Sequence, residues 1–216
     1  MKFSDLDLDI PSKLSNDIRS KFIRASVKNN GKYQPHPAGI YLYKNIPQFN
    51  KIAIADYKFM ENNNYQKIDI LNNTFLDNIT NDEMDEFIDL IEMEEIDWNK
   101  LYKYNEPYQL SKYPSILKEF QVSSVFDIAM VLSIIRPGSI KKYDTLKKAM
   151  KIKKKISKDI KYYDILKDTY GVPIFNEQYK EMGIDDGVYR YKKPHAIGYA
   201  YVLLIDFLKK SHKIKE

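Results

Sequence analysis

Asp5-Leu6-Asp7-Leu8-Asp9-Ile10, near the start of a 216-residue chain, is the stretch on which the fold turns. Successive side chains of a β-strand point to opposite faces. On that reading Leu6, Leu8 and Ile10 enter a core, while Asp5, Asp7 and Asp9 share the other face. Aspartate is a poor strand former, and neighbouring like charges repel. Two readings accommodate the cost: an edge strand with a solvated acidic face, or a carboxylate face gathered around a cation. The second needs another source of carboxylate. Tyr65-Gln66-Lys67-Ile68-Asp69-Ile70-Leu71 supplies it, since alternation puts Lys67 and Asp69 on one face and Ile68 and Ile70 on the other. One small sheet would then set Asp69 beside Asp7 and Asp9.

Between these strands the pattern predicts a helix over 13–27, opened by Pro11 or Ser12 and ended by Asn29-Asn30-Gly31, with glycine as a left-handed cap. A loop over 34–39 and strands at 40–43 and 51–55 follow. Beyond residue 78 the chain turns helical. Thr80 with Glu83 reads as a capping box for an acidic amphipathic helix carrying Phe87, Ile88 and Ile91. Residues 125–135 read as a buried helix stopped by Arg136-Pro137-Gly138, and 141–161 as helix and loop. A short helix at 177–182 precedes one over 195–210 that is apolar on most faces. The expected fold is α+β: a small mixed β-sheet lobe, 1–78, then a mainly helical lobe, 79–216.

Composition narrows the chemistry. With 30% charged and 44% hydrophobic residues the chain is an ordinary globular one. It has no cysteine, which removes disulfides, thiolate metal sites and thiol nucleophiles and fits a reducing cytoplasm. No signal peptide opens it and no apolar run reaches the length of a membrane span. The net charge of +5 is unevenly spread: residues 82–97 hold nine acids and no base, residues 141–161 ten lysines and two aspartates. Such asymmetry fits one face that meets a polyanion and another that avoids it. The lysines, interleaved with Tyr143, Tyr162 and Tyr163, are either a solvated helix face or a track for a nucleic-acid backbone; Lys151, Lys153, Lys154 and Lys155 are its densest part.

Six segments, in order, resemble motifs of C-family DNA polymerases, the bacterial DNA polymerase III alpha subunits. Ser4-Asp5-Leu6-Asp7-Leu8-Asp9-Ile10 resembles the palm strand PDxDxDF. His36-Pro37-Ala38-Gly39-Ile40 resembles the H(A/P)(A/G)G segment, and Gln66-Lys67-Ile68-Asp69-Ile70-Leu71 the KxDxLG strand. Phe126-Asp127 through Ile135-Arg136-Pro137-Gly138-Ser139 is similar to the family's RPGP segment, and Ile165 through Gln178 to iLxxTyGvxvYQEQ. Tyr191-Lys192-Lys193-Pro194-His195-Ala196, with Tyr199-Ala200 and Phe207-Leu208-Lys209, is similar to FxKSHAxAY and its sequel.

The resemblance implies a nucleotidyltransferase-like palm followed by reduced fingers, with template-directed nucleotidyl transfer on primed DNA from dNTPs. It implies Asp7, Asp9 and Asp69 as catalytic ligands of two Mg²⁺ ions, Mn²⁺ being a possible substitute. It also implies Lys67, Arg136, Lys193 and His195 near the incoming nucleotide. Glu177 and Gln178 would be hydrogen-bonding partners inside the fingers. Departures bear on each expectation. About 25 residues stand where the family has a thumb, 16 separate Gln178 from His195 where it has a long insertion, and Asn72 replaces a glycine. No glycine-serine triphosphate motif is present. A chain opening just before the palm strand suits a split replicase whose partner polypeptide brings thumb and glycine-serine motif, and such compression suits a phage-like source and the host cytoplasm. The alternative is a catalytically silent relative that binds DNA or a replisome protein as accessory or decoy.

Overall fold

The computed structural model describes residues 6–43 and 45–212, and for residues 6–9, 71 and 212 no side chain is described. Asp5, first of the three acidic positions, lies outside the described residues. The chain packs as two units, one ending at Thr80 and one beginning at Asn81. The first is built from β1 (Leu6–Ile10), α1 (Ser12–Lys21), β2 (Ile23–Asn29), β3 (Lys32–Tyr41), β4 (Gln48–Phe49), β5 (Ile52–Asp56), α2 (Tyr57–Asn62) and β6 (Ile68–Asn72). Its six strands form one mixed sheet in the order β1-β6-β3-β2-β5-β4. β1 and β6 run parallel, as do β2 and β5, while the other neighbours are antiparallel. Ile23, Ala25, Tyr41, Ile46, Ala53 and Met60 form a buried cluster, with Ala55 and Tyr57 packed against it. The α+β class expected from the sequence is the one observed.

Two local expectations need correction. The helix predicted over 13–27 ends at Lys21, and residues 23–29 are strand. After Lys21 the apolar residues Ile23, Ala25 and Val27 recur every second position, a strand period that overrides helical continuation. Asn30 and Gly31 are not a helix cap: with φ of 48° and 79° they form the centre of a two-residue hairpin turn, whose twist matches that of strands. The predicted loop at 34–39 lies inside β3, although the ladder is interrupted there. Arg24 pairs with Ile40 and Ser26 with Pro35, so four residues of β3 oppose Ala25 alone. Proline has no N–H for a ladder, and the chain swells out of register where Pro35 and Pro37 sit.

The second unit contains α3 (Asn81–Glu92), α4 (Trp98–Leu101), α5 (Ile116–Phe120), α6 (Val125–Ile134), α7 (Tyr143–Lys151), α8 (Tyr163–Leu166), α9 (Asn176–Glu181) and α10 (Lys193–His212). α6 is buried at every position from Asp127 to Ile134. Its start is fixed by reciprocal capping: Ser124 Oγ accepts from Asp127 N at 3.1 Å, and Asp127 Oδ2 accepts from Ser123 N at 2.8 Å. α10 packs against α6 and α3 with Ala196, Ala200, Leu203, Leu204 and Phe207 buried. Lys209 Nζ reaches Glu83 of α3 at 3.1 Å. No helix among the described residues is long and apolar enough to cross a membrane.

Candidate functional site

In the first unit the register of β1 against β6 sets Asp7 opposite Asp69 and Asp9 opposite Leu71. Adjacent strands lie about 4.8 Å apart, so residues 7 and 69 are lateral neighbours in the sheet. The side chains of Asp7 and Asp9 lie outside the described residues. Lys67, only 4% exposed, places Nζ 2.5 Å from Asp69 Oδ2 and 5.4 Å from the centre of the Tyr57 ring. Asp69 Oδ1 is buried and accepts no hydrogen bond among the described residues. An anionic oxygen held from water without a partner is costly unless a cation meets it. Hard divalent ions take carboxylate oxygens of this kind, so the donor fits Mg²⁺. Among the described residues no group of three or more His, Asp or Glu side chains is placed to hold a metal.

The bulge in β3 borders this pair. His36 Nδ1 accepts from Gly39 N at 2.8 Å and from Ala38 N at 3.3 Å. A nitrogen that accepts carries no proton, so its approach to Asp69 Oδ1 at 3.6 Å is not an ion pair. Burial, then the nearby Lys67 cation, hold the His36 pKa below the ordinary histidine value despite the pull of Asp69. Gly39 is required by crowding: a Cβ there would stand 2.7 Å from Lys67 Cδ and 2.9 Å from His36 Nδ1. Asn72, where the resemblance expected glycine, ties β6 to α1 by accepting from Ser15 Oγ and, at 2.8 Å, from Arg19 Nη2.

In the second unit Arg136-Pro137-Gly138-Ser139 ends α6 and clamps the segment before α10. Pro137 blocks continuation of the helix. Gly138 has no room for a side chain, since a Cβ would lie 2.5 Å from Tyr189 O. Arg190 Nε donates to Gly138 O at 3.2 Å, and Ser139 Oγ to Ile174 O at 3.1 Å. The Arg136 guanidinium sits 4.2 Å over the Tyr191 ring and donates to Gln109 Oε1, which also accepts from Tyr191 Oη at 2.9 Å. No carboxylate pairs with Arg136 among the described residues. Tyr191 stacks on Tyr199 with ring centres 5.8 Å apart, and His195 lies 4.6 Å from Tyr199 and 5.2 Å from Tyr191. The structure thus gathers Arg136 and His195 around one tyrosine pair.

Lys193 lies at the start of α10, its N–H donating to Glu177 Oε2 at 3.0 Å and its Nζ 3.5 Å from Asp168 and 4.9 Å from the Phe126 ring centre. Gln178 accepts from the buried Ile174 and Phe175 amides and donates to Ile165 O and Thr169 Oγ1. Lys151, Lys153, Lys154 and Lys155 are exposed where α7 ends, and none forms an ion pair among the described residues. Gln109 and the Arg190–Asp186 clasp, at 2.5 and 2.7 Å, have no sequence signal that would mark them.

Residues 111–195 match the family described as the bacterial DNA polymerase III alpha subunit finger domain. This part of the chain is therefore a segment related to C-family polymerases, and a DNA-polymerase-related role goes with it. No curated protein matches the chain.

Proposed function

We propose that the chain performs template-directed DNA nucleotidyl transfer as a reduced C-family polymerase module. The observation that carries this reading is the parallel pairing of β1 with β6, with Asp7 opposite Asp69 and the Asp69 Oδ1 oxygen without a hydrogen-bond partner among the described residues. The finger-domain match over 111–195 supports it independently. Asp7, Asp9 and Asp69 would hold two Mg²⁺ ions, or Mn²⁺ in their place. Such ions supply charge neutralisation on the phosphates and activation of the primer 3′ oxygen. Lys67 fixes the rotamer of Asp69 through Oδ2 and leaves Oδ1 for coordination. Arg136, without a carboxylate partner among the described residues, presents a planar fork suited to phosphate. Lys193 and His195 serve the nucleotide from the start of α10, and Lys151, Lys153, Lys154 and Lys155 meet the DNA backbone.

The test is Mg²⁺-dependent primer extension by the purified chain, alone and with a polypeptide supplying a thumb and glycine-serine motif. Extension by the parent and its loss, by about a thousandfold or more, in Asp69→Asn is the expected result. Absence of extension in both settings overturns the enzymatic reading. Salt-sensitive DNA binding that persists in that case would leave an accessory role.

A further inference from the structure

A second polar site lies in the first unit, on the face of α1. An open cleft of about 350 Å³ is lined by Asn16, Arg19, Ser20, Arg24 and Pro37. Among the described residues no acidic side chain lines it, and Pro37 is the one apolar residue in the lining. Arg19 donates to Pro37 O at 3.0 Å, Asn16 Oδ1 at 2.7 Å and Asn72 Oδ1 at 2.8 Å; Arg24 donates to His36 O at 2.7 Å. Each guanidinium has five N–H donors, so two remain on Arg19 and four on Arg24. Arg24 Nε is buried and has no partner among the described residues. Lys51 adds a third positive charge nearby, its Nζ donating to Ser20 O at 2.8 Å.

Two guanidiniums beside one another, partly withdrawn from water and without a counter-charge, are an unfavourable arrangement unless an anion completes it. The strain registers on Arg24, whose pKa is held below the ordinary arginine value by burial and then by Arg19. The backbone braces to Pro37 and His36 hold both forks still, which lowers the entropy lost when a ligand is gripped. The volume is at the lower end of those that take small ligands, and the lining is too polar for an apolar one. Planar forks recognise tetrahedral oxyanions through paired N–H donors.

We infer that Arg19 and Arg24 form a phosphate-binding site. It uses no residue of the acidic strand pair, and it exists whether or not the chain transfers nucleotides. The bound group is either a phosphodiester of a nucleic-acid backbone or the phosphate of a small molecule, and the experiment distinguishes them.

Binding of inorganic pyrophosphate by calorimetry and of a fluorescent single-stranded oligonucleotide by anisotropy are measured without divalent metal, on the full chain. The variants are Arg19→Gln, Arg24→Gln and Lys32→Gln, the last removing equal charge at the β2–β3 hairpin. Loss of about tenfold or more in affinity for either probe with Arg19→Gln, and little change with Lys32→Gln, supports the site. Loss confined to the oligonucleotide assigns a backbone phosphate; loss that includes pyrophosphate assigns a free one. Arg19→Gln leaves the half-buried Arg24 brace in place, so a folding defect in Arg24→Gln does not remove the test. Equal effects of Arg19→Gln and Lys32→Gln, or no binding of either probe, overturn the inference. Primer extension is scored separately, so the two proposals fail independently.

Discussion

At the scale of single residues, three side chains within the first unit constrain one another. Lys67 claims one oxygen of Asp69, His36 turns its lone pair toward two backbone amides, and Gly39 is small because both crowd it. Gly39→Ala should cost about 1–3 kcal/mol by overpacking against Lys67 and His36, read by urea unfolding followed by circular dichroism. In the second unit the Arg190 guanidinium, followed by the Val188 N–H, holds the Asp186 carboxyl well below the usual aspartate range. The ionised pair therefore stabilises the unit above about pH 4, the unfolded value, and its contribution is lost as pH falls toward the depressed folded one. Trp98, the sole tryptophan, reports this unit. Asp186→Asn should unfold earlier than the parent at pH 7 by tryptophan fluorescence, with the difference shrinking as pH is lowered below 4. A difference independent of pH would refute the linkage.

At the scale of elements, ends matter more than middles. Gly31 works at φ 79° in the β2–β3 turn, where open space surrounds it but an L side chain is strained. Gly31→Val should cost about 1–2 kcal/mol in the same urea experiment. The junction between α8 and α9 depends on Gln178, which satisfies two buried amides and two acceptors at once. Gln178→Ala leaves those groups buried and unpaired and should destabilise the second unit by about 2–4 kcal/mol, seen in Trp98 fluorescence. Gly138 belongs here too: Arg136-Pro137-Gly138 is a helix stop followed by a close passage of the backbone at Tyr189.

For the whole molecule the decisive property is where charge is left unmatched. The lysines that end α7 are exposed and form no ion pair among the described residues, whereas Lys209, Lys193 and Arg190 have carboxylate partners. Free cations release counterions from a polyanion, and paired ones do so weakly. The triple variant Lys153→Gln, Lys154→Gln, Lys155→Gln should lower the salt dependence of single-stranded DNA binding, reducing the log–log slope by about 2. An unchanged slope would return this stretch to a solvated helix end.

Periodicity and motif order were enough to read the acidic strand, β6, the buried helices α6 and α10 and the finger-like segment, because each is written in local alternation or in residues of one short stretch. The helix predicted through Val27 and the loop predicted at 34–39 failed for one reason. Whether Ile23–Asn29 coils or extends depends on a partner strand supplied after the Asn30-Gly31 turn, and no window on the sequence contains that pairing energy. Gln109 beneath Arg136, and Arg19 beside Arg24, are likewise products of tertiary packing, since burial and neighbouring charge are properties of a surface the chain acquires only once folded. The sequence by itself determined which carboxylates and cations the protein owns. The tertiary structure alone decided which of them are matched, because a counter-charge stabilises only when folding brings it within a few ångströms.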